Sequence, residues 1–101
     1  MIQLDLPGAE ILEAGLADLK ANRYSPEALA ICALEGRLRK CGVDVPESNL
    51  AGDAEVLMYK ELGRIGERNP HAAMNGIMRR LDAYASNAEA RRHRAVKDKN
   101  I

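Results

Sequence analysis

Two short segments, Ser25-Pro26-Glu27 and Asn69-Pro70, constrain this chain more than any other feature. Each sets a small capping side chain directly before a proline, and proline is tolerated in a helix only at its first turn. Apolar residues follow at helical rather than alternating spacing. After the first start come Leu29, Ile31, Cys32, Leu34 and Leu38; after the second come Met74, Ile77, Met78, Leu81, Tyr84, Ala85 and Ala88. The earlier run closes on Arg39-Lys40-Cys41-Gly42, with cations in the last turn and glycine at the C′ position. Glu35 and Arg39 form an i,i+4 pair within it.

Two further helices are expected. One runs from Asp5-Leu6-Pro7 to about Ala21, with Asp5 as N-cap, Pro7 in the first turn and Ile11, Leu12, Leu16 and Leu19 as the apolar stripe. Asn22-Arg23-Tyr24 makes the following turn. The other covers roughly 53–68, with Val56, Leu57, Leu62 and Ile65 inward. Residues 43–52 are the longest connection, with Val43, Val45 and Leu50 tucked against the body and room for a helical turn from Asn49.

The last helix poses a conflict. Continued past Ala88, it carries Arg92 onto its apolar face, where an unpaired charge is costly. Ser86-Asn87-Ala88-Glu89 has capping-box spacing, so a break there and a fresh short helix would relieve the conflict. The expected architecture is an all-α, compact bundle of four main helices with room for a short fifth at the C-terminus. Residues 1–90 form the helical domain and 91–101 a basic helix end or tail.

The apolar inventory agrees. There is no Phe and no Trp among 101 residues, and only Tyr24, Tyr59 and Tyr84 are aromatic. Strands favour aromatic and β-branched residues, so a core of Leu, Ile, Met and Ala argues for helices. Cys32 and Cys41 are nine positions apart, about 13 Å along one helix, which is too far for a disulfide. Reduced thiols fit a cytoplasmic protein. Residues 1–20 lack the pattern of a signal peptide, and no run approaches a membrane span.

Every expected helix also has interior glycine: Gly15, Gly36, Gly63 with Gly66, and Gly76. Each costs about 1 kcal/mol relative to alanine. The benefit expected in return is close helix contact, within the chain or between copies.

Motifs for chemistry are missing. His71 and His93 stand in no metal-ligand spacing, and Glu67 is separated from His71 by the helix-breaking Asn69-Pro70. Cys32 lies among apolar neighbours and Cys41 at a helix C-terminus, so neither is an activated nucleophile. Gly63-Arg64-Ile65-Gly66 matches no phosphate loop. The pairs Glu10/Glu13 and Glu61/Arg64 read as solvated helix faces. No catalytic residue, cofactor or metal is expected.

Net charge zero hides a polarity. Residues 1–60 carry 6 basic and 10 acidic side chains, giving −4, and residues 61–101 carry 9 and 5, giving +4. Arg79, Arg80, Arg91, Arg92, Arg94, Lys97 and Lys99 define a candidate basic surface. Three uses compete for it: a solubilising helix end, an arm docking the acidic half of another subunit, and contact with nucleic-acid phosphates. The last lacks stacking aromatics and a helix-turn-helix. The sequence thus favours a non-enzymatic protein–protein interaction module or accessory subunit that can self-associate. A nucleic-acid-binding accessory protein is the alternative, and an enzyme whose site joins Glu, Tyr and Arg side chains at helix crossings is a third. A protein partner or homo-oligomer is expected, nucleic acid is an option, and no membrane is involved.

Overall fold

A computed structural model describes residues 2–48, 50 and 52–99, with the side chains of 95–99 outside the described set. All regular structure among them is helical: α1 (Ala9–Lys20), α2 (Pro26–Ala33), α3 (Glu35–Lys40), α4 (Ala54–Arg64) and α5 (Pro70–Lys99).

The central element is α2. Its sequence PEALAICA is apolar nearly all round, the pattern of a helix with neighbours on several sides. It packs against α1, α4 and α5, while α1 and α4 make no mutual contact. The small residues Ala28 and Ala30, both fully buried, allow this crowding. α5 crosses all four other helices. Tyr84, Leu12, Ile31, Leu38, Met58 and Leu81 are the largest fully buried side chains. Val43 and Val45 are buried in the α3–α4 connection, and Leu50 packs against the core, as the sequence implies. Asn49, the expected origin of a helical turn, lies outside the described residues.

Both cap-plus-proline starts operate. Ser25 Oγ accepts from the Ala28 N–H at 3.2 Å, and Asn69 Oδ1 accepts from the Ala72 N–H at 3.1 Å. Ser25 also donates to Asp18 Oδ2 at 2.6 Å, and Asp18 pairs with Arg23, which ties the α1–α2 turn together.

Four local expectations are corrected. Asp5 does not cap α1: the helix starts later, at Ala9, after a turn in which Leu6 N–H donates to Gln3 O. Its N-cap is Gly8, in the left-handed region at φ 82°, because that backbone lies against the Arg80 carbonyl of α5. A side chain at Gly8 would both strain the φ angle and clash. The helix begun at Ser25 is interrupted at Leu34, whose φ of −105° and ψ of 18° leave the helical range, so α2 and α3 are separate. Gly36, a poor helix former, lies just beyond that break. On α4, Val56 and Ile65 are 52% and 54% exposed, and Met58 with Leu62 faces the core. The carboxylate of Asp53 fixes this start by accepting from the Glu55 and Val56 N–H groups at 2.9 and 3.3 Å.

The fourth correction concerns the chain end. α5 runs unbroken from Pro70 to Lys99, with no restart at Ser86 and no separate C-terminal helix. Arg92 escapes the predicted burial because its flexible stem carries the guanidinium to the Lys40 carbonyl at 3.3 Å, in an exposed position. The fifth helix of the bundle comes from the Leu34 break instead.

Candidate interaction surfaces

The basic residues of α5 divide by what they touch. Arg91 donates to Gln3 Oε1 at 2.6 Å and to both Asp5 oxygens at 3.1 and 2.9 Å. Beside them the Gln3 N–H donates to the buried Tyr84 hydroxyl at 2.9 Å. Residues 2–8 thus form a strap across α5, hydrogen-bonded at Gln3 and Asp5 and apposed at Gly8. The Arg91 hydrogen bonds hold the Asp5 carboxyl below the ordinary carboxylate range and raise the guanidinium in turn. Arg80 faces Glu10 at 3.8 Å. Arg79, Arg92, His93 and Arg94 are exposed. The side chains of Lys97 and Lys99 lie outside the described residues.

The charge polarity of the two halves is therefore spent partly inside the chain. Acids of the amino-terminal half meet α5 of the same molecule at Asp5–Arg91 and Glu10–Arg80. A reverse link exists as well: Arg37 of α3 reaches Asp82, Ser86 Oγ at 2.6 Å and Glu89 at 3.9 Å, three positions along one face of α5. The sequence did not single out Arg37. Its signal was present in the Asp82/Ser86/Glu89 spacing, but only the fold brings α3 alongside.

The interior glycines also divide. Gly15 sits at a close helix crossing: a methyl there would meet the Ile31 side chain and lie 2.9 Å from the Glu27 carbonyl. Gly36, Gly63, Gly66 and Gly76 have open space where a Cβ would stand, so they mark no close contact among the described residues. Gly66 is instead the turn after α4, at φ 88°. Gly8, not among the expected contacts, makes the other close approach.

Several groups able to do chemistry are engaged in structure. A depression of about 310 Å³ is lined by Cys32, Ala33, Asp53, Ala54 and Glu55, but the Asp53 carboxylate caps α4. Cys32 Sγ lies 3.5 Å from Ser48 Oγ. Both cysteines are free thiols, and burial pushes the Cys41 thiol above its ordinary value, with the nearby Glu89 charge adding to the effect. Glu61 and Arg64 bond each other, which lowers the carboxyl and raises the guanidinium. Among the described residues no three His, Cys, Asp or Glu side chains converge as a metal site would require.

Comparison with protein-family models, curated proteins and solved structures yields no match. The surface must therefore be read from its own chemistry. Among the described helices none is long and apolar enough to cross a membrane.

What stands out is α4. Of the five large apolar side chains left exposed among the described residues, Val56, Tyr59 and Ile65 belong to this helix or its C-cap. Val56, Tyr59 and Gly63 follow the i, i+3, i+7 spacing of one helical face. Met58 lies toward the opposite side, and Leu62 is buried at the edge of the stripe, on the flank of Glu55. α4 is thus apolar on two faces, and one of them has no cover among the described residues.

Proposed function

We propose that the chain is a non-enzymatic interaction module, an accessory subunit that self-associates. The exposed Val56/Tyr59 face of α4 carries this reading. Isolated apolar side chains on a surface are ordinary, but clustering on one face of one helix is the pattern of a contact surface. The employment of Asp53, Tyr84 and Asp5 in capping, strap and ion-pair roles also supports an interaction role over catalysis. Free thiols at Cys32 and Cys41 fit residence in the cytoplasm.

Light scattering across a concentration series tests the reading. The expected result is a mass that rises with concentration in the wild type and stays at the monomer value in Val56→Glu/Tyr59→Glu, with thermal unfolding unchanged. A wild type that remains monomeric throughout would overturn self-association.

A second reading has its own observation: Arg92, His93 and Arg94 are exposed on consecutive positions of an unbroken helix. Such a segment supplies phosphate affinity without sequence choice. It calls for salt-sensitive retardation of duplex DNA or RNA that is weakened by Arg92→Glu/Arg94→Glu. No retardation at low salt would remove it.

A further inference from the structure

The α4 face is bordered by charge in a way that selects its partner and the partner's direction. At 100° per residue, Val56, Tyr59 and Gly63 centre one stripe, with Glu55 on one flank and Lys60 on the other. Glu55 and Lys60 are both exposed, and neither forms an ion pair within 4.0 Å among the described residues. The helix offers them no partner either. Lys60 has Val56, Leu57, Gly63 and Arg64 at its three- and four-residue neighbours, and Glu55 has Met58 and Tyr59 on the side toward the C-terminus. Glu61, the remaining acid of this region, is bonded to Arg64.

We infer that the occupant of this face is a second copy of the same chain, with the two α4 helices side by side and parallel about a two-fold axis. The inference rests on the self-association reading above. In that arrangement the acidic flank of one helix meets the basic flank of the other, so Glu55 faces Lys60 of the second copy, and the symmetry makes the contact twice. The two positions differ by five residues, about 7.5 Å of rise. That offset is the one at which flanking charges pair between parallel helices of a coiled coil. An antiparallel pair centred on the same stripe sets Lys60 beside Lys60 of the other copy and leaves Glu55 unmatched. The parallel orientation is therefore favoured by attraction, and the antiparallel one is opposed by repulsion.

Gly63 fits the same geometry. It lies on the stripe with open space where a Cβ would be, and its cost to the helix is unexplained by any contact among the described residues. At a two-helix crossing the missing side chain admits the other backbone. The α4 helix has 11 residues, about 16 Å in length, so the dimer is weak and concentration-dependent.

Charge reversal tests the proposal on the full chain. Sedimentation equilibrium compares the wild type with Glu55→Lys, Lys60→Glu and the double reversal. Each single reversal turns both cross-pairs repulsive, and the expected dissociation constant rises roughly three- to tenfold. The double reversal restores the pairs with signs exchanged, and the constant returns to within about twofold of the wild type. Singles that leave association unchanged, or a double reversal no better than the singles, would overturn the parallel arrangement while leaving self-association standing. A monomeric wild type would overturn both. Circular dichroism on all four proteins separates loss of association from loss of fold, and a Glu55→Gln/Lys60→Gln chain serves as a neutral control. That control is expected to fall between the wild type and the single reversals, and a chain weaker than either single would count against the pairing.

Discussion

Arg91 reaches back 86 residues to hold both oxygens of Asp5, so a strap at the amino terminus is fastened to the last helix. The folded state keeps the Asp5 carboxyl deprotonated below its ordinary value of 3.8. The contact is thus complete above the unfolded carboxylate value and is lost as pH falls through the lowered folded value. The protection of the Gln3 amide relative to its intrinsic exchange rate should fall on acidification in the wild type, and at neutral pH in Asp5→Asn, while Leu81 in the core stays protected. Unaltered Gln3 exchange in Asp5→Asn would show that the strap is held without this pair.

Ser25 does two things at once, accepting from the Ala28 N–H and donating to Asp18. Ser25→Ala leaves the start of α2 uncapped and frees Asp18. A loss of about 1 kcal/mol, within the range for N-cap removal, should appear in urea unfolding. Ser25→Asp should recover the cap but place a second carboxylate beside Asp18, and its stability should fall between the other two.

The glycines give a matched pair of opposite sign. A methyl at Gly15 meets the Glu27 carbonyl, backbone that cannot swing aside, so Gly15→Ala should cost about 1–3 kcal/mol. Gly76 faces open space within α5, and Gly76→Ala should gain about 1 kcal/mol from helix propensity alone. Equal melting temperatures for the two variants would contradict this account.

The cysteines should separate by reactivity. Cys41 is buried, and its thiol is held above the ordinary value of 9.0 by that burial and by the Glu89 charge. Cys32 is only partly buried. Iodoacetamide at neutral pH should therefore alkylate Cys32 at least about tenfold faster, since the thiolate is the reacting form and access limits the rest. Mass mapping that finds Cys41 modified first would overturn the assignment.

These contrasts show where the sequence was readable. Ser25 and Asn69 announce helix starts because capping and proline geometry are local. The stripe from Leu81 to Ala88 was equally plain, since one helical face decides it. Asp5 misled because a capping residue followed by Pro is a local signal, and here Arg91 and the Arg80 carbonyl outweigh it. Val56 and Ile65 were assigned inward because α4 is apolar on two sides, and periodicity cannot say which side a neighbour covers. Arg92 seemed to demand a break because residue-level burial ignores how far a long side chain can reach. Of the surfaces, the basic positions of α5 were legible as charge, but their intramolecular partners, and the role of Arg37, depended on the fold.

The strap has a further consequence for how the protein comes into being. Gln3, Asp5 and Gly8 leave the ribosome well before Tyr84, Arg91 and Arg80, the α5 residues that they meet. A nascent chain can form α1 and α2 early, but residues 2–8 have nothing to lie against until α5 has been translated. Docking of the strap is therefore a late, closing event, and a chain arrested before Pro70 should expose residues 2–8 to protease however well α1 and α2 have formed.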